Sequence, residues 1–500
     1  MNFDRVGSMA GAATALLIEE GAQQGDRILL ALENSVIARI LDQSVLSSGL
    51  VRVAVSPRLH DREIAAIAAD SEAKIICCDV SRLEQLTRAC SEAFLDCRIL
   101  GFSDSAGGHD LAWLGENEKE PSGPRNVVGA DDMAMLMYSS GTAGEPKGAI
   151  ITHASWMAQA RNAANHLPWI DENDVVVLAA PMQHFGGSIG LNCALRGAAT
   201  VVMVPFNACE VVQAVRDHRA TVLPLVPTLL ARLTATLPAE PADDSTLRVI
   251  TYGGSPVDTK VLTKAAKHFP GRLIQFYGLA EALAPLSVLT PDDHDSALAA
   301  TIHPGAGSAA IVDRLRSAGK PIGSINYRFD HGSIQVRGDI VMPGYWHRDT
   351  LTAAVLNDGW FSTGDSGRLD ADGYLYLLDR ESDLIISGGF NVYPHEVERV
   401  VSEVPGVAEV AVVGLPDRRW GEGIHAFIVL DESANALFAA APEQLSAIVR
   451  TACQGSLASF KKPVGVHLLD ELPRNPAGKI DRTALKKNFI KEKDSAACKP

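Results

Sequence analysis

The chain has 500 residues, of which 47% are hydrophobic and 21% charged, which excludes a disordered protein and allows a large core spread over two to four domains. Its formal net charge of -15 would repel a nucleic-acid backbone, so nucleic acid is excluded as a partner. Eight cysteines without a Cys-x-x-Cys pair predict neither a disulfide framework nor a zinc site, and they favour the reducing cytoplasm. No apolar run reaches the roughly 18 residues that a membrane span requires.

Strand-like and helix-like segments alternate along the first half of the chain. After an amphipathic stretch at residues 9–18, the segment from 27 to 79 alternates between apolar runs and helical spacing in the order β-α-β-α-β. A second alternation runs from residue 175 to residue 252. Because parallel strands need a helical crossover between them, this pattern predicts an α/β fold, with layered α/β subdomains in a large N-terminal domain.

One short loop, at residues 138–149, combines glycines, hydroxyl side chains and a lysine. Glycine lets backbone N–H groups turn toward an anion, hydroxyls add donors, and Lys147 adds a positive charge, so the loop is suited to hold phosphate. A predicted buried strand at residues 133–138 would fix its root. The loop differs from the phosphate loop of kinases, because Pro146 precedes the lysine and Gly148 follows it. The alternative is a flexible loop without a ligand.

Further motifs follow this loop in order. Together with it they resemble the motifs of the AMP-forming acyl-CoA synthetases, which belong to the adenylate-forming superfamily with luciferases and peptide-synthetase adenylation domains. The resemblance extends over most of the chain, and so many motifs in the same order make coincidence negligible. In this sequence they occupy residues 253–256, 275–281, 359–365, 379–398 and 473–479.

The resemblance implies a site for ATP or acyl-AMP with Mg²⁺. Tyr277 is expected to stack on adenine, and the Glu281 carboxylate, together with Thr142, is expected to hold Mg²⁺ on the phosphates. Residues 359–365 are predicted to form a turn whose Asp365 binds the ribose hydroxyls. The residues assigned to nucleotide are Ser139, Ser140, Gly141, Thr142, Gly144, Lys147, Gly253, Gly254, Ser255, Tyr277, Gly278, Glu281, Asp365 and Arg380.

A pocket for the acid is predicted around His184. A single histidine is more often structural than functional, but the resemblance places His184 beside the substrate carboxylate, as a catalytic residue at the entrance for the thiol. Residues 181–191 contain no carboxylate and therefore predict a hydrophobic acid without an α-amino group. The predicted pocket residues are His184, Phe185, Ser188, Ile189, Leu279, Ala280 and Ala282.

The elements become shorter and more charged near residue 380, which predicts a domain boundary. We predict a domain that binds AMP and the acid at residues 1–380 and a small mobile α+β domain at residues 381–500. By resemblance, the smaller domain swings about Ser382 and presents one face for adenylation and another for thioester formation.

Two sites in the smaller domain complete the predicted reaction. Gly388 and Gly389 are expected to let the arm of coenzyme A pass close to the backbone. An exposed lysine in a turn is usually only solubilising, but Lys479 matches the family's catalytic lysine, which bridges the carboxylate and the α-phosphate. These features predict an acyl-CoA ligase that joins a carboxylic acid to coenzyme A through an acyl-adenylate, with a place in secondary metabolism.

Two departures from the family pattern leave alternatives open. Ala143 and Ala280 stand where the family has threonine, and each removes a hydroxyl expected to contact phosphate. Losing one such donor costs about 3 to 4 kcal/mol of transition-state stabilisation. One alternative is an enzyme that only performs the second step, in which the acyl group of an acyl-adenylate made by a separate adenylating enzyme passes to coenzyme A and AMP leaves. The others are an enzyme that loads a carrier protein and a nucleotide binder without turnover. The oligomeric state is not predicted.

Overall fold

The computed structural model describes most of the chain. The described residues are 1–104, 108–117, 128–139, 146–203, 206–238, 246–305, 307–330, 332–380, 383, 385–387, 390–392, 394–417, 421–431, 434, 438, 442–457, 461–475 and 478–497. Among the helices in these ranges, none combines the length and apolar character needed to cross a lipid bilayer.

Helices and strands alternate through most of the described chain. The helices are α1 (Phe3–Glu19), α2 (Val36–Ser47), α3 (Asp61–Asp70), α4 (Leu83–Glu92), α5 (Leu111–Glu116), α6 (His153–His166), α7 (Phe185–Ala194), α8 (Ala208–Asp217), α9 (Pro227–Thr236), α10 (Thr259–His268), α11 (Pro291–Ile302), α12 (Ser308–Asp313), α13 (Asp349–Val355), α14 (Pro394–Ser402), α15 (Pro442–Ser456) and α16 (Arg482–Ala497).

The strands belong to four sheets. They are β1 (Arg27–Ala31), β2 (Val51–Ala54), β3 (Ala73–Asp79), β4 (Arg98–Ser103), β5 (His109–Asp110), β6 (Met133–Ser139), β7 (Lys147–Thr152), β8 (Val175–Leu178), β9 (Ala199–Val202), β10 (Val222–Leu225), β11 (Val249–Gly253), β12 (Leu273–Tyr277), β13 (Ser287–Leu289), β14 (Lys320–Pro321), β15 (Asn326–Asp330), β16 (Ser333–Arg337), β17 (Leu356–Asn357), β18 (Trp360–Leu369), β19 (Leu375–Arg380), β20 (Ile385–Ser387), β21 (Phe390–Val392), β22 (Val407–Asp417), β23 (Gly421–Leu430) and β24 (Gly465–Leu468).

The first sheet has the strand order β5-β4-β3-β1-β2-β6-β7. Strands β1 to β4 are parallel, whereas β6 and β7 form an antiparallel hairpin. The apolar runs of these strands are buried, and Ile64 of α3 and Leu86 of α4 pack on them. Helix α2 begins after Ser35, whose side chain accepts a hydrogen bond from the backbone N–H of Ala38. The predicted β-α-β-α-β alternation is confirmed.

The second sheet has the order β14-β13-β12-β11-β10-β8-β9. Strands β8 to β12 are parallel, and β13 runs antiparallel to both of its neighbours, β12 and β14. Helices α8, α9 and α10 contribute Val211, Leu230 and Leu262 to its core. Because β8, β10, β11 and β12 point in the same direction, their carboxyl ends meet at one edge, where ligands bind in open α/β sheets.

Buried polar contacts join the first sheet to the segment that follows β8. The side chain of Asn34 donates to the carbonyl of Ala180 at 2.8 Å and accepts from the N–H of Met182 at 2.9 Å. Gln183 Nε2 donates to the carbonyl of Leu32 at 2.7 Å. Because unpaired buried amides are costly, these contacts hold residues 180–183 in one position. They therefore fix the backbone immediately before His184.

The third sheet contains β15, β16, β18 and β17, with β19 paired to β18. The prediction that residues 359–365 form a turn is wrong, because β18 begins at Trp360 and continues for 10 residues. Only Gly359, with φ of +75°, belongs to the turn. Trp360 pairs with Asn357 in an antiparallel ladder. Pairing of the aromatic residues outweighs the turn preference of the following Gly and Asp.

Contacts divide the chain into two compact units. The first comprises residues 1–328, 335–363 and 369–376, and the second comprises residues 329–334, 364–368 and 377–500. The domain boundary predicted after residue 380 stays a prediction. The sheet of the second unit has the order β21-β20-β23-β22, with β24 beside β23. Helices α14 and α15 supply one of its apolar clusters, and Leu485 of α16 packs in the other.

Candidate active site

The predicted motifs of the first unit follow neighbouring strands of the second sheet. Gly253 ends β11 and pairs with Phe276 of β12, which is parallel to it. Tyr277 is the last residue of β12, and residues 179–184 follow β8 in the same sheet. Three predicted segments therefore leave the sheet at one edge. They are residues 253–256, which by resemblance form the adenine-side loop, the Tyr-Gly motif at residues 275–281, and the histidine segment at residues 179–184.

Gly253 and Gly254 serve different purposes in their loop. A Cβ on Gly253 would lie 2.3 Å from the carbonyl oxygen of Phe276 and 3.5 Å from a ring carbon of Phe185, so no side chain fits there. Gly254 has φ of +98°, and a Cβ on it would have no neighbour within 4 Å. The first glycine lets the strands pack closely, and the second leaves the backbone accessible beside open space.

The histidine segment lies against this loop. His184 precedes α7 as its N-terminal capping residue and is partly exposed. The ring of Phe185 contacts that of Phe276 edge to face, with 6.2 Å between the centroids. A Cβ on Gly187 would lie 1.8 Å from the carbonyl oxygen of Met182, which keeps the first turn of α7 tight. The structure therefore brings Phe185, predicted for the acid pocket, to Gly253, predicted for the nucleotide.

The Tyr-Gly motif forms a tight turn beyond β12. Tyr277 is buried, with 8% of its surface exposed. A Cβ on Gly278 would lie 2.5 Å from the backbone N of Ala284, so the turn folds back closely on itself. The N–H of Leu279 donates to the carbonyl of Ala282 at 2.8 Å. Leu279 and Ala280 are partly buried and Ala282 fully buried, which gives this turn an apolar character.

Glu281 is held by a residue that the sequence did not predict. The hydroxyl of Tyr345 donates to Glu281 Oε1 at 3.0 Å, and the N–H of Met342 donates to the Glu281 carbonyl at 2.8 Å. Tyr345 also pairs through its backbone with Ala149 of β7, the strand that follows the predicted phosphate-binding loop. Tyr345 thus connects the phosphate-loop hairpin to the predicted magnesium ligand. In the sequence, the only local feature that could have drawn attention to Tyr345 is its position directly after a Pro-Gly pair.

The predicted phosphate-binding loop follows β6 and precedes β7, which pair as a hairpin. Ser139 pairs with Lys147 and Tyr138 with Gly148, so the hairpin closes at the predicted root of the loop. A Cβ on Gly148 would lie 3.0 Å from the ring of Tyr138. The Tyr138 hydroxyl donates to Asp70 at 2.7 Å, and burial and this carboxylate raise the pKa of Tyr138. A neutral, anchored tyrosine therefore supports the hairpin.

A buried polar network lies beneath the adenine-side loop. His294 Nδ1 lies 2.6 Å from the carbonyl of Thr290, so Nδ1 carries the hydrogen and Nε2 accepts from the Tyr252 hydroxyl at 2.7 Å. Tyr252 directly precedes Gly253. Burial of the ring lowers the pKa of His294 from 6.5 to about 4. The histidine is therefore neutral at neutral pH, as this hydrogen-bond pattern requires.

The second unit carries the remaining predicted residues. Asp365 lies within β18 and is 7% exposed, and Arg380 ends β19, which pairs with β18. Lys479 is exposed in a turn in which the N–H of Asn475 donates to its carbonyl at 2.8 Å and its own N–H donates to Asn475 Oδ1 at 3.0 Å. A bridge between Arg474 and Ile480 closes this turn.

Several predicted residues lie outside the described part of the chain. These are Ser140, Gly141, Thr142, Ala143, Gly144, Ser382, Gly388 and Gly389, together with the side chains of Ser139 and Arg380. Their roles stay predictions. The structure thus describes the hairpin strands on either side of the predicted phosphate-binding loop, and the residues that surround the predicted adenine-side loop.

Two family models match the chain. The model described as AMP-binding enzyme matches residues 2–346, and the model described as AMP-binding enzyme C-terminal domain matches residues 396–479. The chain belongs to the AMP-binding enzyme family. The resemblance to the adenylate-forming acyl-CoA synthetases is thereby confirmed, as is the prediction that the chain is a ligase.

Known relatives match this AMP-binding enzyme over nearly its whole length. A 2-succinylbenzoate–CoA ligase of Bacillus velezensis is 33% identical over 475 residues, 93% of this chain and 88% of that protein. A long-chain-fatty-acid–CoA ligase of Mycobacterium tuberculosis is 30% identical over 493 residues, 98% and 93% of the two chains. The structure of o-succinylbenzoate CoA synthetase from Bacillus subtilis, in complex with the acyl-adenylate intermediate, matches with a TM-score of 0.77 at 28% identity, covering 97% and 92%.

In this AMP-binding enzyme, Tyr345→Phe should raise the KM for MgATP about 10-fold. The substitution removes the hydrogen bond to Glu281 Oε1 and lets the carboxylate rotate, and a bond to a charged group contributes about 1.5 kcal/mol. Steady-state kinetics at saturating acid and CoA would measure this KM in the wild type and the variant. Tyr374→Phe is the matched control, because it also removes a buried hydroxyl bonded to a carboxylate, that of Asp293. An equal change of KM in both variants would contradict the role of Tyr345.

Acid should destabilise the AMP-binding enzyme partly through His294. The pKa of His294 is about 4 in the folded protein and 6.5 in the unfolded chain. Below pH 6.5 the unfolded chain therefore binds a proton that the folded protein does not, and the folded state loses stability as pH falls toward 4. The free energy of unfolding should therefore drop by about 2 kcal/mol between pH 7 and pH 5 because of this residue. Urea titrations of the wild type and His294→Gln at both pH values would measure it. Identical pH dependence in the two proteins would contradict it.

Proposed function

We propose that the protein is an acyl-CoA ligase that converts a hydrophobic carboxylic acid, ATP and coenzyme A into an acyl-CoA thioester, AMP and pyrophosphate through an acyl-adenylate. One observation carries this proposal. Phe185, from the predicted acid pocket, packs against both Gly253 and Phe276, where the predicted adenine-side loop and Tyr-Gly motif begin. An acid and a nucleotide bound to these segments would meet at one edge of the sheet. The names of the relatives support the same reaction.

The nucleotide would bind along the loops that follow β11 and β12. The open backbone at Gly254 suits the adenine side, and Tyr277 supplies an aromatic surface. Glu281 fits a magnesium ligand, because its carboxylate is oriented by Tyr345 and carboxylate oxygens suit this hard cation. Bound Mg²⁺ would neutralise phosphate charge during displacement of pyrophosphate. Lys147, at the end of the hairpin, would add a positive charge beside the phosphates.

The acid would lie beside the first turns of α7. His184 and Ser188 are partly exposed there, and the turn containing Leu279 and Ala282 adds apolar surface. Because residues 181–191 lack a carboxylate, an α-ammonium group would have no counterion in this segment, which favours an acid without one. His184 would position the carboxylate. The relatives act on differing acids, so we propose the substrate class only, and the place in secondary metabolism stays a prediction.

The second unit would contribute the groups that act on the reacting atoms and the ribose. Lys479 would bridge the substrate carboxylate and the α-phosphate, stabilising the charge that develops during adenylation. Asp365 and Arg380 are proposed for the ribose, and Gly388 with Gly389 for the passage of coenzyme A. The closed turn from Arg474 to Ile480 would present Lys479 in one backbone conformation.

We propose that both half-reactions are retained despite the alanines. A water molecule can replace the hydroxyl absent at Ala280 with modest loss, since this position is partly exposed. The carboxylate of Glu281 is anchored by Tyr345, so the magnesium ligand does not depend on the absent threonine. The two alanines favour one second candidate function, in which the acyl group of an acyl-adenylate supplied by another enzyme is transferred to coenzyme A with release of AMP.

Product analysis would distinguish these functions. The protein is incubated with ATP, Mg²⁺, coenzyme A and a panel of fatty, aryl and polycyclic acids, and acyl-CoA and AMP are measured by mass spectrometry. Parallel reactions receive a synthetic acyl-adenylate in place of ATP and acid. We expect acyl-CoA from both sets. Product from the supplied adenylate alone would support the second candidate function, and product from neither would contradict both.

A further inference from the structure

Three polar residues follow one another four positions apart, one at the N-terminal cap of α7 and two within the helix. His184 and Ser188 are partly exposed, whereas Asn192, one turn further along the helix, is only 7% exposed. Residues four apart in a helix lie on neighbouring positions of its surface. The series therefore begins at the proposed acid site and ends inside the protein, where an amide side chain is buried.

The orientation of the Asn192 amide follows from its partners. Gln159 Nε2 donates to the backbone carbonyl of Ala284 at 2.8 Å, and Asn192 Nδ2 donates to Gln159 Oε1 at 3.1 Å. Because a carbonyl only accepts, Gln159 must direct its NH₂ group to Ala284 and its oxygen to Asn192. Asn192 must then direct its NH₂ group to Gln159. Its carbonyl oxygen consequently points elsewhere.

This amide chain is attached to the proposed site at both ends. Asn192 lies on the helix that begins after His184. At the other end, Ala284 packs against Gly278, since a Cβ on that glycine would lie 2.5 Å from both the N and the Cα of Ala284. Gln159 and Asn192 thus connect α7 to the turn that carries Leu279 and Ala282.

The carbonyl oxygen of Asn192 is buried, and none of the residues that the structure describes donates a hydrogen bond to it. A buried acceptor without a donor is unfavourable, and most such atoms in proteins have partners. Another buried amide, Asn162 of α6, does have a donor, because its Oδ1 accepts from Ser324 Oγ at 3.1 Å. Thr251 Oγ1 and Trp156 Nε1 are also buried without a partner, but among the described residues only the Asn192 oxygen belongs to an amide that lies on α7 behind the proposed acid site.

We propose that Asn192 is a specificity-determining residue whose Oδ1 accepts a hydrogen bond from a hydroxyl group on the acyl chain, remote from the carboxylate. The inference rests on the proposed function and narrows its substrate class to hydroxylated hydrophobic acids. A neutral hydroxyl suits this oxygen, because the Asn192 side chain is bonded to the uncharged amide of Gln159 and residues 181–191 lack a carboxylate that could pair with a buried ammonium. An acid without the hydroxyl would bury the Asn192 oxygen unpaired and bind less well.

Matched pairs of acids test this proposal. The pairs are ω-hydroxyoctanoic and octanoic acid, ω-hydroxydecanoic and decanoic acid, and para-hydroxyphenylpropanoic and phenylpropanoic acid. For each pair, kcat/KM of acyl-CoA formation is measured in the wild type, Asn192→Leu and the control Asn162→Leu. We expect the wild type and the control to prefer a hydroxylated acid in at least one pair by about 10-fold, and Asn192→Leu to lose the preference.

Asn192→Ala serves as a second variant in case leucine is not accommodated, and circular dichroism verifies that each variant is folded. The same preference in the wild type and both Asn192 variants would overturn the proposal and indicate that a buried water satisfies the oxygen. Turnover of all acids by the wild type without any preference would also overturn it, while leaving the ligase function intact. Absence of acyl-CoA with every acid would overturn the proposed function, and this inference with it.

Discussion

Lys479→Ala should reduce acyl-adenylate formation by about 100- to 1,000-fold, the effect of removing one preorganised group that stabilises developing charge. The conversion of a supplied acyl-adenylate to acyl-CoA should change little, because the carboxylate and the α-phosphate are already joined in that substrate. Lys479 lies in a turn closed by Asn475 and by the Arg474–Ile480 bridge, so the backbone should tolerate alanine. Single-turnover assays of each half-reaction would measure the two effects separately.

Lys487→Ala is the matched control for this substitution. Lys487 is an exposed lysine of α16 in the same unit, and its removal changes the net charge equally. Neither half-reaction should respond to it. A loss of similar size in both half-reactions of Lys479→Ala would contradict a specific role in adenylation and would indicate that the turn itself had been disrupted.

Glu281→Gln should reduce adenylation by about 100-fold, equivalent to about 2.7 kcal/mol. Glutamine keeps the size of the side chain and can still accept a hydrogen bond from Tyr345, but it lacks the charge that holds Mg²⁺. The apparent affinity for Mg²⁺ should fall with the rate. Titration of Mg²⁺ at saturating ATP and acid would therefore show the defect as a shift of the midpoint to higher concentration.

Glu72→Gln controls for the loss of one negative charge. Glu72 pairs with Arg27 at 2.9 Å near the surface, where an ion pair contributes little. Its variant should retain the wild-type midpoint for Mg²⁺. If Glu281→Gln also retained that midpoint, the assignment of Glu281 as the magnesium ligand would be wrong, and Tyr345 would be stabilising the turn rather than a metal ligand.

The sequence predicted the parts of the fold that depend on local pattern. Alternating apolar runs and helices required parallel strands, and parallel strands placed the residues after β8, β11 and β12 at one edge. The adjacency of Gly253, Phe276 and Phe185 follows from this arrangement. The apolar run at residues 133–138 likewise predicted a strand at the root of the predicted phosphate-binding loop, which β6 confirms.

Long-range contacts could not be predicted in this way. Tyr345 is separated from Glu281 by 64 positions, and nothing in its immediate sequence indicates that carboxylate. The buried amide chain joins Gln159 to Ala284 across 125 positions for the same reason. Asp365 illustrates a different failure, since its Gly-Asp pair is typical of a turn, yet strand pairing placed it within β18. In each case the position of the residue depends on tertiary contacts, which local sequence preference does not determine.

Acid-dependent exchange of pyrophosphate into ATP tests the central claim most directly, because it reports adenylation without requiring coenzyme A. The wild type should catalyse exchange with at least one hydrophobic acid of the panel, and Lys479→Ala should abolish it. Absence of exchange with every acid, in a protein that readily converts a supplied acyl-adenylate to acyl-CoA, would contradict the proposal that this chain performs both half-reactions.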